Sequence, residues 1–177
     1  MLYTRTGDDG TTTLNNGTER LPKDNAVCEA LGTLEELNAL LGVCRASCLY
    51  EEPLPLRQIV RTVQETLFSM HAMLAGAETS IGKAHVLKLE EDIAILEAHM
   101  QPVRSVVIPG STLLSAQFDH ARAVCRRAER RVVALSYTTP YPEELVMYLN
   151  RASSLLYALA RHTATMHGAP ELKPSYL

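Results

Sequence analysis

The sequence predicts an all-α fold: a five-helix up-and-down bundle entered through an ordered N-terminal loop. Three observations carry that prediction. Apolar residues recur at helical spacing in five separate stretches. Short breaks bearing proline, glycine or polar residues divide those stretches, at "EEPLP", Gly76–Gly82, "PVRSVVIPGST" and "YTTPYP". No internal repeat is visible, and no apolar run reaches the roughly 20 residues of a membrane span. At 177 residues the chain fits one domain that can bury its own core. Within that domain, residues 1–22 form the loop and about 24–167 the bundle.

The elements follow in order. Residues 1–22 are rich in Gly, Thr, Asn and Asp and read as an ordered loop or short hairpin. Next, Val27, Ala30, Leu31, Leu34, Leu37, Leu41 and Cys44 share one face of a first helix, capped by Asp24 or Asn25. A second helix starts at Leu56 and ends near Gly76. "HVLKLEEDIAILEAHM" makes a third, stopped before Pro102, and the stretch beyond it is extended and turn-like, with Pro109-Gly110 as punctuation. The fourth helix runs from about Thr112 to Ser136 and the fifth from about Glu143 to His167.

Charge and composition narrow the function. A net charge of −3 argues against a nucleic-acid binder that works by bulk electrostatics. The opening "MLYTRTGDDG" is neither a signal peptide nor a transit peptide, so a soluble, cytoplasmic protein with no membrane partner is expected. Cys28, Cys44, Cys48 and Cys125 form no CxxC pair, and small buried thiols in a reducing compartment account for them. The histidines (71, 85, 99, 120, 162 and 167) make no HExxH, HxH or ExxH pattern, and no GxSxG elbow occurs. Any chemistry then belongs to bound reactants that the protein positions.

Two stretches bear on those reactants. In "AVCRRAERRVVAL", Val124, Ala128, Val132 and Leu135 gather on one helical face, with Arg126 and Arg130 roughly opposite and Glu129 to one side. A solvated face is one reading. A polyanion site is the other, because guanidinium forks grip phosphate oxygens in pairs and the Arg excess is not self-neutralising. In "TRTGDDGTTT", Gly7 and Gly10 permit close backbone approach and five threonines offer hydroxyls, which describes either a surface loop or a phosphate cradle. Asp8 and Asp9 would repel phosphate there unless they point away or meet a cation. Lys23 adds a mobile charge at the mouth of the first helix. Polar stripes also run along the fifth helix (Asn150, Ser154, Tyr157, Arg161) and the first (Glu35, Asn38, Arg45), either exposed or converging on a site or partner subunit.

Taken in order, "YTRTGDDGTT", "RLPKD", "EALGTLEELNALLG", "IPGS", "RAVCRRAERRVVAL" and "YLNRASSLLYALAR" resemble the PduO-type ATP:cob(I)alamin adenosyltransferases. The resemblance spans nearly the whole chain, from Tyr3 to about Arg161. It implies a homotrimer of five-helix bundles with sites between subunits. The implied reaction moves the 5′-deoxyadenosyl group of ATP to the cobalt of a reduced corrinoid and releases triphosphate, with Mg²⁺ assisting. A flavin reductase or a corrinoid-dependent enzyme is the protein partner it implies. The resemblance assigns ATP to Thr4, Arg5, Thr6, Gly7, Thr12, Thr13 and Lys23, to Arg126, Arg127, Glu129 and Arg130, and to Asn150. It pairs Glu35 with Arg126 as the catalytic couple and puts Val106 and Asp119 on the corrinoid side; no protein metal ligand is implied.

The chain departs from that family at four places. Glu35 stands where Asp is usual, keeping the charge but lengthening the reach. Val106 stands for a Phe that pushes the corrinoid's lower ligand off cobalt. Asp119 replaces His, and Ser154 replaces Asp. The ATP half is nearly complete and the corrinoid half altered, so the alternative expectation is a carrier of the same fold that binds corrinoid or nucleotide with weak or lost transfer.

Overall fold

The computed structural model describes residues 2–15, 17–48, 54–100, 102 and 106–176. An antiparallel hairpin opens the chain, β1 (Thr11–Thr13) pairing with β2 (Arg20–Pro22), so the short-hairpin alternative for the first 22 residues is the one observed. Five helices follow: α1 (Ala26–Ser47), α2 (Leu56–Leu74), α3 (Lys83–Glu97), α4 (Leu113–Ser136) and α5 (Glu144–Met166). Of the expected breaks, residues 51–53 and 103–105 lie outside the described residues. No helix among the described residues is long and apolar enough to cross a membrane.

Local chemistry sets the helix ends. Asn25 caps α1, its side-chain oxygen accepting from the Val27 amide at 2.9 Å. Thr112 and Ser115 cap α4 reciprocally, each side chain meeting the other's amide, at 3.0 and 2.9 Å. α3 begins two residues before the first residue of the expected stretch, His85, because the His85 ring takes up the Gly82 amide at 3.2 Å. It also closes earlier, at Glu97, with residues 98–100 in turns. Arg57 of α2 donates to the Arg45 and Cys48 carbonyls at 2.9 and 3.1 Å, which satisfies acceptors left over at the end of α1.

Around the bundle, neighbour order differs from chain order. α1 packs on α2 and α4, and α4 on α5, while α3 leaves α2 and lies against α5. α5 is therefore the central helix. Leu145, Leu149, Leu155, Leu156 and Leu159 are all buried on it, together with Ala152, Ala158, Ala160 and Ala164. The small residues let neighbouring backbones come close, and the Cys125 thiol of α4 reaches the Leu149 carbonyl of α5 at 3.3 Å. Truncating one of these buried leucines to alanine costs about 2–5 kcal/mol. Because α5 is wrapped on several sides, its remaining polar stripe marks where the wrapping is open.

Candidate functional site

That opening is a cavity of about 590 Å³ between α3, α4 and α5, within the usual size range for small-molecule sites. Arg122 and Arg126 of α4 share its lining with Asn150, Ser154 and Tyr157 of α5, and apolar surface comes from Ile93, Met100 and Ala158. The Arg122 guanidinium lies over the Tyr157 ring, 5.2 Å from its centroid. Asn150 donates to the Glu129 carboxylate at 3.1 Å, which ties α5 to the charged segment of α4.

The four arginines from 126 to 131 divide into two pairs. Arg127 is paired with Glu36 and Arg131 with Glu29, at 3.4 Å for the latter, both acids belonging to α1. Arg126 and Arg130 are exposed and have no carboxylate partner among the described residues; Arg130 Nη1 donates to the Arg126 carbonyl at 3.1 Å. The helical turn explains the division. Residues one apart are rotated by about 100°, so Arg127 and Arg131 face α1 while Arg126 and Arg130 face away from it. Arg127, expected on the nucleotide, is paired with Glu36 within the chain.

The N-terminal loop is a second, separate network. Asp9 turns onto Thr11, accepting from its amide at 2.9 Å and its hydroxyl at 2.8 Å, and meets Arg20 at 3.0 Å. Those hydrogen bonds, with Arg20 beside them, hold the Asp9 carboxyl down at about 2. Arg20 also donates to the Thr6 carbonyl and, through Nε, to the Thr11 hydroxyl at 2.6 Å. Lys23 Nζ donates to the Gly7 carbonyl at 2.7 Å, and the Thr4 and Thr6 hydroxyls are 2.8 Å apart. Arg5 has φ 63, a left-handed conformation that costs a non-glycine residue roughly 1–2 kcal/mol, and its guanidinium lies 5.5 Å from the Tyr3 ring centroid. Arg20 was not among the expected site residues, yet it pins the loop. The signal for it was Asp9, an acid in a phosphate-like loop that needs a cation.

Other expected residues fall elsewhere. Glu35 lines a groove of about 400 Å³ between α1 and α2, with Asn38, Gln64, Phe68 and His71. Arg126 lies on the α3/α4/α5 cavity, so within one chain the two occupy different surfaces. Thr12 is half-buried and Thr13 exposed on β1. Val106 lies on the extended α3–α4 connection and is 63% exposed. Asp119, expected on the corrinoid side, is paired with the buried Arg161. Burial pushes its carboxyl above the usual range, and the guanidinium opposes that shift. Among the described residues no cluster of three or more His, Cys, Asp or Glu is placed to hold a metal.

A family model described as cobalamin adenosyltransferase matches residues 2–163. A corrinoid adenosyltransferase from Citrobacter freundii is 41% identical over 167 residues, 90% of this chain and 93% of that protein. The human corrinoid adenosyltransferase MMAB is 33% identical over 180 residues, 96% of this chain and 71% of its own. The chain spans about half the length of two further relatives, the corrinoid adenosyltransferases PduO of Citrobacter freundii and Salmonella typhimurium. Among solved structures, a phenylalanine-to-alanine variant of a PduO-type ATP:corrinoid adenosyltransferase from Lactobacillus reuteri, complexed with cobalamin and ATP, superposes with a TM-score of 0.91. It is 25% identical, with 99% of each chain covered.

Proposed function

Because the chain belongs to the cobalamin adenosyltransferase family, we infer that it is an enzyme that moves the 5′-deoxyadenosyl group of ATP to the cobalt of a reduced corrinoid. The cobalt lone pair attacks C5′, the cobalt–carbon bond forms, and the C5′–O bond breaks with its electrons leaving on triphosphate. Such a step needs no protein acid, base or covalent intermediate. It needs C5′ held in line with cobalt and positive charge where the triphosphate departs.

The observation that carries this reading is the division of the arginines. Arg126, on the α3/α4/α5 cavity, and Arg130, one turn further along α4, have no carboxylate partner among the described residues and grip the triphosphate, while Asn150 and Glu129 frame the same segment. Thr4, Arg5, Thr6, Gly7, Thr12, Thr13 and Lys23 wrap the nucleotide from the other side. Mg²⁺ would be held on phosphate oxygens and water, its usual habit, and would supply charge neutralisation. Val106 and its segment face the corrinoid. The four free thiols fit a reducing compartment, the cytoplasm.

The loop and the arginines are separate networks in one chain, and Glu35 lies away from Arg126. A homotrimer with the site between subunits accounts for both. The loop of one subunit then meets α4 of the next, and Glu35 pairs with Arg126 across the boundary. An anaerobic assay with ATP, Mg²⁺ and chemically reduced cobalamin tests the activity, since product appears as an alkyl–cobalt spectrum; its absence overturns the reading. Mixed assemblies test the shared site. Lys23→Ala and Arg130→Ala chains, each impaired alone at limiting ATP, regain activity when co-assembled, because some interfaces then carry two intact halves. No recovery places both halves in one chain.

A further inference from the structure

Arg161, near the end of α5, is among the largest fully buried side chains of the described residues, 2% exposed. It holds two carboxylates. Nη2 meets Asp119 on α4, and Nη1 meets Glu171 at 2.5 Å, beyond the helix. Between them the chain reverses: Gly168 adopts φ 61, its amide donates to the Thr165 carbonyl at 3.0 Å, and the Ala169 amide donates to the Ala164 carbonyl at 3.1 Å. The returning segment then lies beside the α3–α4 connection, where the Leu172 carbonyl accepts from the Ile108 amide at 2.8 Å. Among the described residues, that is the one backbone hydrogen bond tying residues 106–110 to another part of the chain. Ile108 is two residues from Val106, and both are substantially exposed.

We propose that Glu171 is a positioning residue for the corrinoid: its ion pair with the buried Arg161 straps residues 169–172 against the 106–108 segment and so sets where Val106 stands. The proposal rests on the reading of that segment as corrinoid-facing. Removing Glu171 leaves the Arg161 charge paired with Asp119, but Nη1 then joins Nε as a buried donor without a partner, so some stability is lost with the strap. Removing Asp119 would disturb the α4–α5 packing as well. Arg161 also lies over the Tyr157 ring, 5.1 Å from its centroid, and Tyr157 lines the cavity beside Arg126; removing Glu171 leaves that stacking and the Asp119 pair in place, so the effect falls mainly on the strapped segment.

The test compares the full-length parent with Glu171→Ala and Glu171→Asp. Three quantities are read: hydrogen exchange in the peptide containing Ile108, the KM values for cob(I)alamin and for ATP, and the melting temperature. In Glu171→Ala, exchange at Ile108 accelerates and the cob(I)alamin KM rises about three- to tenfold, the size of one net hydrogen bond. The ATP KM stays near the parent value, the melting temperature falls modestly because Arg161 Nη1 loses its partner, and Glu171→Asp recovers part of both losses. Unchanged exchange at Ile108 means that no strap exists and overturns the proposal. Faster exchange with an unchanged cob(I)alamin KM overturns it too, by showing that the strapped segment does not face the corrinoid. A parallel rise in both KM values means general loosening and likewise overturns it. A parent that forms no alkyl–cobalt product refutes the functional reading instead, and exchange at Ile108 then still decides whether the strap exists.

Discussion

Replacing Arg130 by alanine separates the nucleotide from the scaffold. In the structure its guanidinium donates to the Arg126 carbonyl of its own helix at 3.1 Å and has no carboxylate partner among the described residues. Losing that exposed contact changes stability by no more than about 0.5 kcal/mol. Losing a charge-assisted bond to triphosphate costs about 1.5–3 kcal/mol, or roughly 10- to 150-fold in Kd. Arg127→Ala is the matched control. It breaks the pair with Glu36, whose partners are 43% and 53% exposed, so it costs about 0.2–1 kcal/mol of stability and leaves ATP affinity unchanged. Calorimetric titration of ATP with Mg²⁺ into each variant, with circular dichroism melts alongside, reads both quantities. Equal ATP affinity in the parent and Arg130→Ala, or an equal loss in the two variants, would refute the division of the arginines.

Three further outcomes are expected. In Gly7→Ala the new Cβ would stand 2.9 Å from Lys23 Nζ; the ammonium therefore shifts off the loop, and titration shows weaker ATP binding, with no change in melting temperature. Val106→Phe speeds adenosylation that starts from intact cob(II)alamin more than adenosylation of a corrinoid lacking the lower base. Because Val106 is 63% exposed, melts of this variant match the parent, and equal rates with both corrinoids would show that another residue displaces the base. Burial, with His99 nearby, lowers the His162 pKa below 6.5, so the fold favours the neutral ring. Stability is then complete above about pH 6.5 and falls as the pH drops below that value, by at most about 1.4 kcal/mol per pH unit for one proton. A melting temperature in His162→Leu that still falls as steeply would assign the acid sensitivity elsewhere.

What the sequence made legible was whatever depends on neighbours along one helix. The apolar spacing through Leu34, Leu37 and Leu41 or through Val124, Ala128 and Val132 marks the buried faces correctly, because helical geometry alone decides them. Arg126 and Arg130 could be set opposite the valines on the same ground. The fate of Arg127 could not, since it depends on α1 packing against α4 and on Glu36, rather than Glu35, facing that seam. Asp119 shows the same limit. Its partner Arg161 is 42 residues away, and a carboxylate on a helix gives no sign of which cation the fold will deliver. Arg20 was closer to reach, because a hairpin brings it back beside Asp9 and Thr11. The Glu171 strap had no local signature at all.

The cysteines carry a practical consequence. Burial raises the Cys44 and Cys125 thiols to about 12, and Cys48 is 3% exposed with its sulfur 3.3 Å from the Cys44 carbonyl. Cys44 and Cys125 therefore hold protonated thiols at neutral pH, and Cys48 is closed to a bulky alkylating reagent by its burial. Cys28 is half-buried, its sulfur 3.8 Å from the Pro22 carbonyl, at the seam where the hairpin meets α1. A chain with four thiols therefore takes a maleimide dye as if it had one. That dye lands five positions along from Lys23, where a nucleotide closing the loop would change its surroundings, and the unmutated protein becomes its own fluorescent reporter of ATP arrival.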